Sequence, residues 1–89
     1  MSETARLPPA LESTVPTDRA VVAVDVATAP PPEPLTRTLE ALATLDDDEL
    51  LLQVNDREPT YLFPKLDDRG AAYATAERVE TVVTAIWYP

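Results

Sequence analysis

The side chains of this chain that could do chemistry fall in two short stretches. The first is Val24-Asp25-Val26-Ala27-Thr28-Ala29-Pro30-Pro31-Pro32-Glu33-Pro34, where a carboxylate closes an apolar run and another follows three prolines. The second is Asn55-Asp56-Arg57-Glu58-Pro59. Carboxylates, an amide and a guanidinium can accept backbone N–H groups, hold an anion, or move a proton. The residues that are missing narrow this list. The chain has no cysteine and no histidine. Thiol nucleophiles, thiolate metal ligands, the usual general base and the Ser-His-Asp arrangement are therefore excluded. Its only glycine, Gly70, cannot build a phosphate-cradling loop. A carboxylate enzyme using Asp25 or Glu33 has nothing specific behind it, so no enzymatic activity and no cofactor are expected.

Such groups need a scaffold, and 89 residues allow one small domain. Folding at this size buries only about 60% of the surface of the unfolded chain. Sixteen acidic residues face seven basic ones, for a net charge of -9. That field repels nucleic acid and anionic membranes. The acid-rich, lysine-poor composition is similar to that of proteins from salt-accumulating halophiles. No apolar run approaches the roughly 20 residues needed to span a bilayer. Met1 to Arg6 does not read as a signal peptide, so a cytoplasmic location is expected.

Residues 1–18 contain Pro8, Pro9 and Pro16 among Ser, Thr and Glu, and are read as a disordered N-terminal tail before a domain spanning 19–89. Leu7-Pro8-Pro9-Ala10-Leu11 within it has the composition of an extended partner-binding segment. Ala20 to Val26 is β-branched and apolar on both faces, which predicts a parallel, internal strand. A first helix is predicted over 33–44, with Leu35, Leu39 and Leu42 forming its apolar stripe and Pro34 tolerated in the first turn. Asp46-Asp47-Asp48-Glu49 is read as a solvated turn, because it lacks the spacing and glycine of a calcium loop. Glu49 to Val54 is the second strand. A second helix follows, with Asn55 or Asp56 as its N-cap, Leu62, Phe63 and Leu66 inward, and Pro64 leaving it short or kinked. Arg69-Gly70 closes that helix with a left-handed cap. Ala71 to Glu77 is a modest edge strand and Thr81 to Tyr88 the last strand, giving the order βαβαββ.

The turn after the first strand resembles that of the small sulfur carriers of the TusA/SirA type, which reads roughly Asp-x-Arg-Gly-x-x-Cys-Pro-x-Pro. Asp25 stands at the aspartate, Pro32-Glu33-Pro34 at Pro-x-Pro, and Pro31 at the sulfur-carrying cysteine. Together with Asn55-Asp56-Arg57-Glu58-Pro59, this also resembles an uncharacterised domain family within that group. Its members have a Pro-Pro-Pro-Glu helix start and an Asn-Asp-x-x-Pro turn, and some accompany hemerythrin-like or cupin modules. The resemblance covers residues 20–88. It implies an α+β fold: a two-layer α/β sandwich with a four-stranded mixed sheet in the order 1-2-4-3 and two helices on one face. Sulfur transfer is not implied, because a persulfide needs a thiol at the helix start and Pro31 has none. Ala27 and Thr28 replace the arginine and glycine of the carriers.

Two functional readings follow. The leading one is a non-catalytic accessory or regulatory domain that binds a protein partner, as a monomer or weak dimer, without nucleic acid or membrane. The alternative is a small-molecule or anion-binding domain. It would use a rim of Asp25, Glu33, Asn55, Asp56 and Arg57 at the ends of the first two strands, where open α/β sheets place their ligands. The same residues could instead be no more than satisfiers of backbone groups at the helix starts. Trp87 and Tyr88 are a second candidate contact surface, since one of them must face away from the helices. The acidic composition generates a separate expectation. Lowering salt from molar to tens of millimolar removes screening whose range is only about 3 Å at 1 M, so folding should be lost. Circular dichroism across that range is the measurement, and an unchanged spectrum would refute a salt-dependent fold.

Overall fold

Leu50-Leu51-Leu52-Gln53-Val54 has no solvent-tolerant face, and the fold covers it on both sides. The structure, a computed structural model, describes residues 7–89. A 3-10 turn at Pro9–Leu11 precedes β1 (Ala20–Asp25), α1 (Glu33–Ala43), β2 (Glu49–Asn55), α2 (Phe63–Asp68), β3 (Ala72–Glu77) and β4 (Val82–Trp87). The four strands form one sheet in the order β1-β2-β4-β3. β1 runs parallel to β2, and β4 runs antiparallel to both β2 and β3. This is the α+β sandwich expected, with the mixed sheet and the predicted strand order.

The parallel pairing of the first strand holds, but its internal position does not. β1 lies at a sheet edge, and Val21 is 44% exposed. The two central strands are β2 and β4, which carry the heavy burial. Apolar residues on both faces of β1 therefore do not mark it as central; the longer apolar run in β2 takes that place. β3 is the other edge, as its weak alternation predicts.

Period-two alternation sorts the core into two layers. Leu51 and Ile86 face the helices and pack with Leu42 of α1 and Leu66 of α2, beside Leu62. Leu35, Leu39 and Ala41 pack against the same cluster, which makes the predicted stripe the core face of α1. Pro34 sits at the second position of α1, and Pro64 at the second position of α2, where a missing N–H breaks no bond. Pro64 is thus no kink, and α2 is short, at 6 residues. Its N-cap is Leu62, without a side-chain bond, so neither Asn55 nor Asp56 caps it. The residues from Pro59 to Leu62 intervene as a separate turn, with the Leu62 N–H donating to the Pro59 carbonyl at 2.9 Å. At the other end Gly70 has φ +71, and the N–H groups of Gly70 and Ala71 donate to the carbonyls of Asp67 and Leu66. Both bonds of a Schellman cap are present, and its left-handed residue is the one glycine. Phe63 stacks on Tyr73 with ring centroids 4.8 Å apart, joining α2 to β3.

On the opposite face, Leu50, Leu52, Val54, Val83 and Ala85 are covered by Leu11 and Val15. This corrects the expectation of a disordered tail over residues 1–18: Leu11 is 4% exposed and Val15 is 5% exposed. Residues 1–6 of that expected tail lie outside the described residues. The physical reason is the spacing Leu7, Leu11, Val15, which puts one apolar residue per turn on the inner side of a coiled segment. The stretch 7–11 is accordingly not a free extended ligand; it turns at Pro9–Leu11 and packs inward. Trp87 does lie on this face, as parity requires, but is half-buried beside the segment, while Tyr88 packs with the helix-side cluster. Neither is the open aromatic surface expected from the sequence. Among the described residues, no helix is long and apolar enough to cross a membrane.

Leu11→Ala should destabilise the domain by roughly 2–4 kcal/mol, the usual cost of deleting a buried leucine side chain. Urea unfolding measures it. A change within experimental error would mean that the segment does not cover the sheet in solution.

Candidate functional site

The C-terminal ends of the parallel pair β1 and β2 open onto two loops, and the space between those loops is a cavity of about 270 Å³. One wall comes from the β1–α1 connection. The Val26 N–H continues the sheet by donating to the Val54 carbonyl at 2.8 Å, and the chain then turns so that the Glu33 N–H reaches the Pro30 carbonyl at 2.9 Å. Three prolines with fixed φ and no N–H leave this wall little else to bond and little freedom to move. Ala29, Pro31, Pro32, Pro34 and Leu35 contribute lining from this side. The other wall is the β2–α2 connection, which contributes Asp56 through Leu62. Gln53 and Asn55, on the helix-facing side of β2, complete the cavity and are its most buried polar residues, at 1% and 5% exposure.

The structure brings together three of the five rim residues expected from the sequence. Asn55, Asp56 and Arg57 line the cavity, whereas Asp25 and Glu33 do not. The Asp25 carboxylate accepts the Ala27 N–H at 3.1 Å, a local turn contact that gives it a backbone role. Glu33 is exposed in the first turn of α1, where its charge complements the helix dipole. Asn55 Oδ1 accepts the Asp56 N–H at 2.8 Å and shapes the start of the second loop. The Arg57 guanidinium donates through Nε and its terminal nitrogen to the two carboxylate oxygens of Asp56, at 3.1 and 3.3 Å. That hydrogen bonding, with the adjacent positive charge, holds the Asp56 carboxyl below the usual carboxylate range, and the carboxylate in turn raises Arg57. Arg57 is thus engaged within the protein. With Glu58 beside them, the lining carries two carboxylates against one guanidinium.

Gln53, Thr38, Glu58 and Tyr61 are site residues that the sequence reading passed over. Thr38, on α1 and fully buried, donates its hydroxyl hydrogen to the Pro34 carbonyl at 2.7 Å. Its oxygen then accepts from Gln53 Nε2 at 2.9 Å. Among the described residues, Gln53 Oε1 has no hydrogen-bond partner, and neither does Oγ1 of Thr84, its direct neighbour across the β2–β4 ladder. The available signal was Gln53 itself, the one polar residue inside Leu50-Leu51-Leu52-Gln53-Val54. Tyr61, 84% exposed on the loop wall, gave no periodic signal at all. Elsewhere, the acidic turn after α1 is engaged locally: Glu49 Oε1 accepts the Asp46 N–H at 2.9 Å. Among the described residues, no group of three or more His, Cys, Asp or Glu side chains is placed to hold a metal ion.

The arrangement defines a class of protein: a four-stranded α+β sandwich with a proline-walled cavity where its parallel strands end. The chain belongs to an uncharacterized conserved protein family, DUF2249, whose model matches residues 23–87. The matched region holds both loops and all of α1 to β4, and leaves out the Leu11–Val15 cover. No curated protein and no solved structure matches the chain.

The pairing of Asp56 generates a pH prediction. A carboxyl whose folded pKa is depressed favours the fold above its unfolded pKa of about 3.9 and loses that contribution as pH falls through the folded value. Carboxyl-carbon NMR should place the Asp56 midpoint below that reference. Arg57→Ala should move it back upward; no movement would mean that the pair does not form in solution.

Proposed function

We propose that this domain is a non-catalytic binding unit and that its ligand site is the cavity between the β1–α1 and β2–α2 loops. The observation that carries this reading is the cavity itself. At about 270 Å³ it approaches the size of small-molecule sites, roughly 300–1,000 Å³, and it lies where open α/β sheets place ligands. Three kinds of evidence support binding over catalysis. The chain has no thiol or imidazole. Asp56 is held ionised by Arg57. Asp25 is engaged with backbone. The engagement of Arg57 with Asp56 also favours a small molecule of general kind over an anion gripped by that guanidinium.

A second reading, an accessory domain that docks a protein partner, is favoured by Tyr61. Its ring is largely exposed at the mouth of the cavity, and exposed aromatics beside pockets are frequent anchor points. In either case the domain is a sulfur-carrier-like scaffold of the TusA/SirA type in which Pro31 stands at the carrier cysteine. Its acidic surface fits the cytoplasm of a salt-accumulating halophile, where it works as a monomer or weak dimer.

The test is amide NMR of the labelled protein at high salt against a fragment library, followed by Tyr61→Ala. Binding at the cavity requires shifts clustered at Gln53, Asn55, Arg57 and Tyr61. A cavity silent across the library would remove the small-molecule reading and leave the partner reading to be tried by capture with and without Tyr61.

A further inference from the structure

β1 and β3 are the two edges of the sheet, and they are not equally guarded. On β3, Ala74 and Ala76 pack against the cluster that Leu11 and Val15 complete. That cover stops short of β1. Val21, Ala23 and Asp25 share the face of Leu50, Leu52 and Val54 yet stay exposed, and among the described residues no strand pairs with the outer edge of β1. The ladder sets the direction of the free backbone groups. The Ala20 N–H donates to the Asp48 carbonyl at 3.3 Å and the Val26 N–H to the Val54 carbonyl at 2.8 Å, so the even-numbered residues of β1 bond to β2. Val21, Ala23 and Asp25 therefore turn their N–H and C=O groups outward. Protein edges are commonly blunted by proline, lysine, a bulge or an inward charge. None of these interrupts Ala20-Val21-Val22-Ala23-Val24-Asp25, which runs in unbroken register along β2 with its one charge at its end.

We propose that the outer edge of β1 is a self-association surface, on which a second copy of this chain pairs its own β1 antiparallel about a two-fold axis. The two four-stranded sheets then become one, with both helix layers on the same side. An antiparallel ladder sets outward-pointing residues opposite one another, so odd numbers must face odd. Pairing about Val22 meets this condition. It places Val21 across from Ala23 of the second copy, a large side chain against a small one. Val22 meets its own counterpart on the helix side, at the close spacing of a pair that is not hydrogen-bonded. Asp25 comes across from Arg19 of the second copy. Arg19 has further N–H groups besides the one held by the Tyr88 carbonyl, and Ala27 engages only Oδ1 of Asp25. This match of the strand to its own reverse, in size and in charge, selects a second copy over a foreign strand. The contact is small, at six residues a side against roughly 20–30 in a standard interface. Each copy also carries a net charge of -9. The dimer is therefore reversible and forms where salt screens that repulsion. No residue of β1 lines the cavity, so the pairing stands or falls apart from any ligand there.

Sedimentation velocity of the full chain in molar salt, from about 10 µM to about 1 mM, where weak complexes assemble, should show the mass rising from one chain to two and no further. Amide exchange locates the contact. Val22 and Val24 should be protected at every concentration, whereas Val21 and Ala23 should slow by about tenfold or more in the concentrated sample, as their N–H groups gain partners. Ala23→Pro removes an outward donor without touching the β2 ladder and should hold the chain as a monomer. Ala23→Lys keeps the backbone and lowers the net negative charge, which alone would favour association. Its ammonium meets Arg19 and its own counterpart on the second copy, so it should still weaken pairing by about fivefold. Thr75→Lys, exposed on the other edge, should change nothing.

A chain still monomeric at the top of the range overturns the proposal and leaves the edge to a strand from another protein. A dimer in which the Val21 and Ala23 amides are unchanged, or which Ala23→Lys leaves intact, overturns it too. So does a mass that grows past two chains and falls with Thr75→Lys, the mark of a head-to-tail contact of β1 on β3. Should Ala23→Pro not fold, the lysine variant and the exchange pattern carry the test.

Discussion

The burial of β2 on both faces is the constraint from which the rest of the structure follows. A strand at the centre of a four-stranded sheet needs backbone partners on both edges and apolar cover on both faces. β1 and β4 supply the edges. The helices cover the side of Leu51, and the Leu11–Val15 segment covers the side of Leu50, Leu52 and Val54. An 89-residue chain can spare only a short stretch for the second cover. With a core this small, the segment outside the family's matched region is as necessary to β2 as the helices within it.

Central burial also explains why the polar part of the site is where it is. Gln53 cannot reach solvent from the middle of β2, so the fold must provide for its amide internally, and Thr38 does so at one end only. Placing a threonine on the buried face of α1 gives up some apolar contact. The return is a side chain locked in one orientation beside a space walled by proline. Rigid walls with one fixed polar group are the general pattern of sites that select by shape first and by a single hydrogen bond second. The salt-bridged Asp56 and Arg57 shape the mouth more than they hold anything in it.

Much of the fold was legible in the sequence because its signals are local. Leu35, Leu39 and Leu42 announced α1, the alternation through Thr81 to Tyr88 announced β4, and Gly70 marked the end of α2. The position of β1 was not legible, because two apolar faces describe what a strand tolerates and not where it sits in the sheet. Leu7, Leu11 and Val15 were hidden by the prolines around them, whose composition resembles disorder even where the spacing does not. Asn55, Asp56 and Arg57 could be placed at the site from their position after a strand. Asp25 and Glu33 share that sequence logic but are turned to backbone and solvent. Direction of this kind is set by the loop's path, which residue types alone do not encode. Gln53 was visible as an anomaly in an apolar run. Its significance needed Thr38, which comes 15 residues earlier in sequence and sits one hydrogen bond away in space.

The Arg19 guanidinium donates to the Tyr88 carbonyl at 2.7 Å, joining the residue before β1 to the residue after β4. These two points lie at the end of the sheet where β1 and β2 begin, opposite the cavity. The chain thus enters and leaves the sheet at one pole and keeps its recess at the other. The Arg19–Tyr88 bond therefore acts as a clasp across the first and last strands, on the far side of the sheet from the opening. Fraying of the outer strand β1 from this pole must first break that bond, so the clasp protects the start of the parallel pair while leaving the recess at its other end untouched.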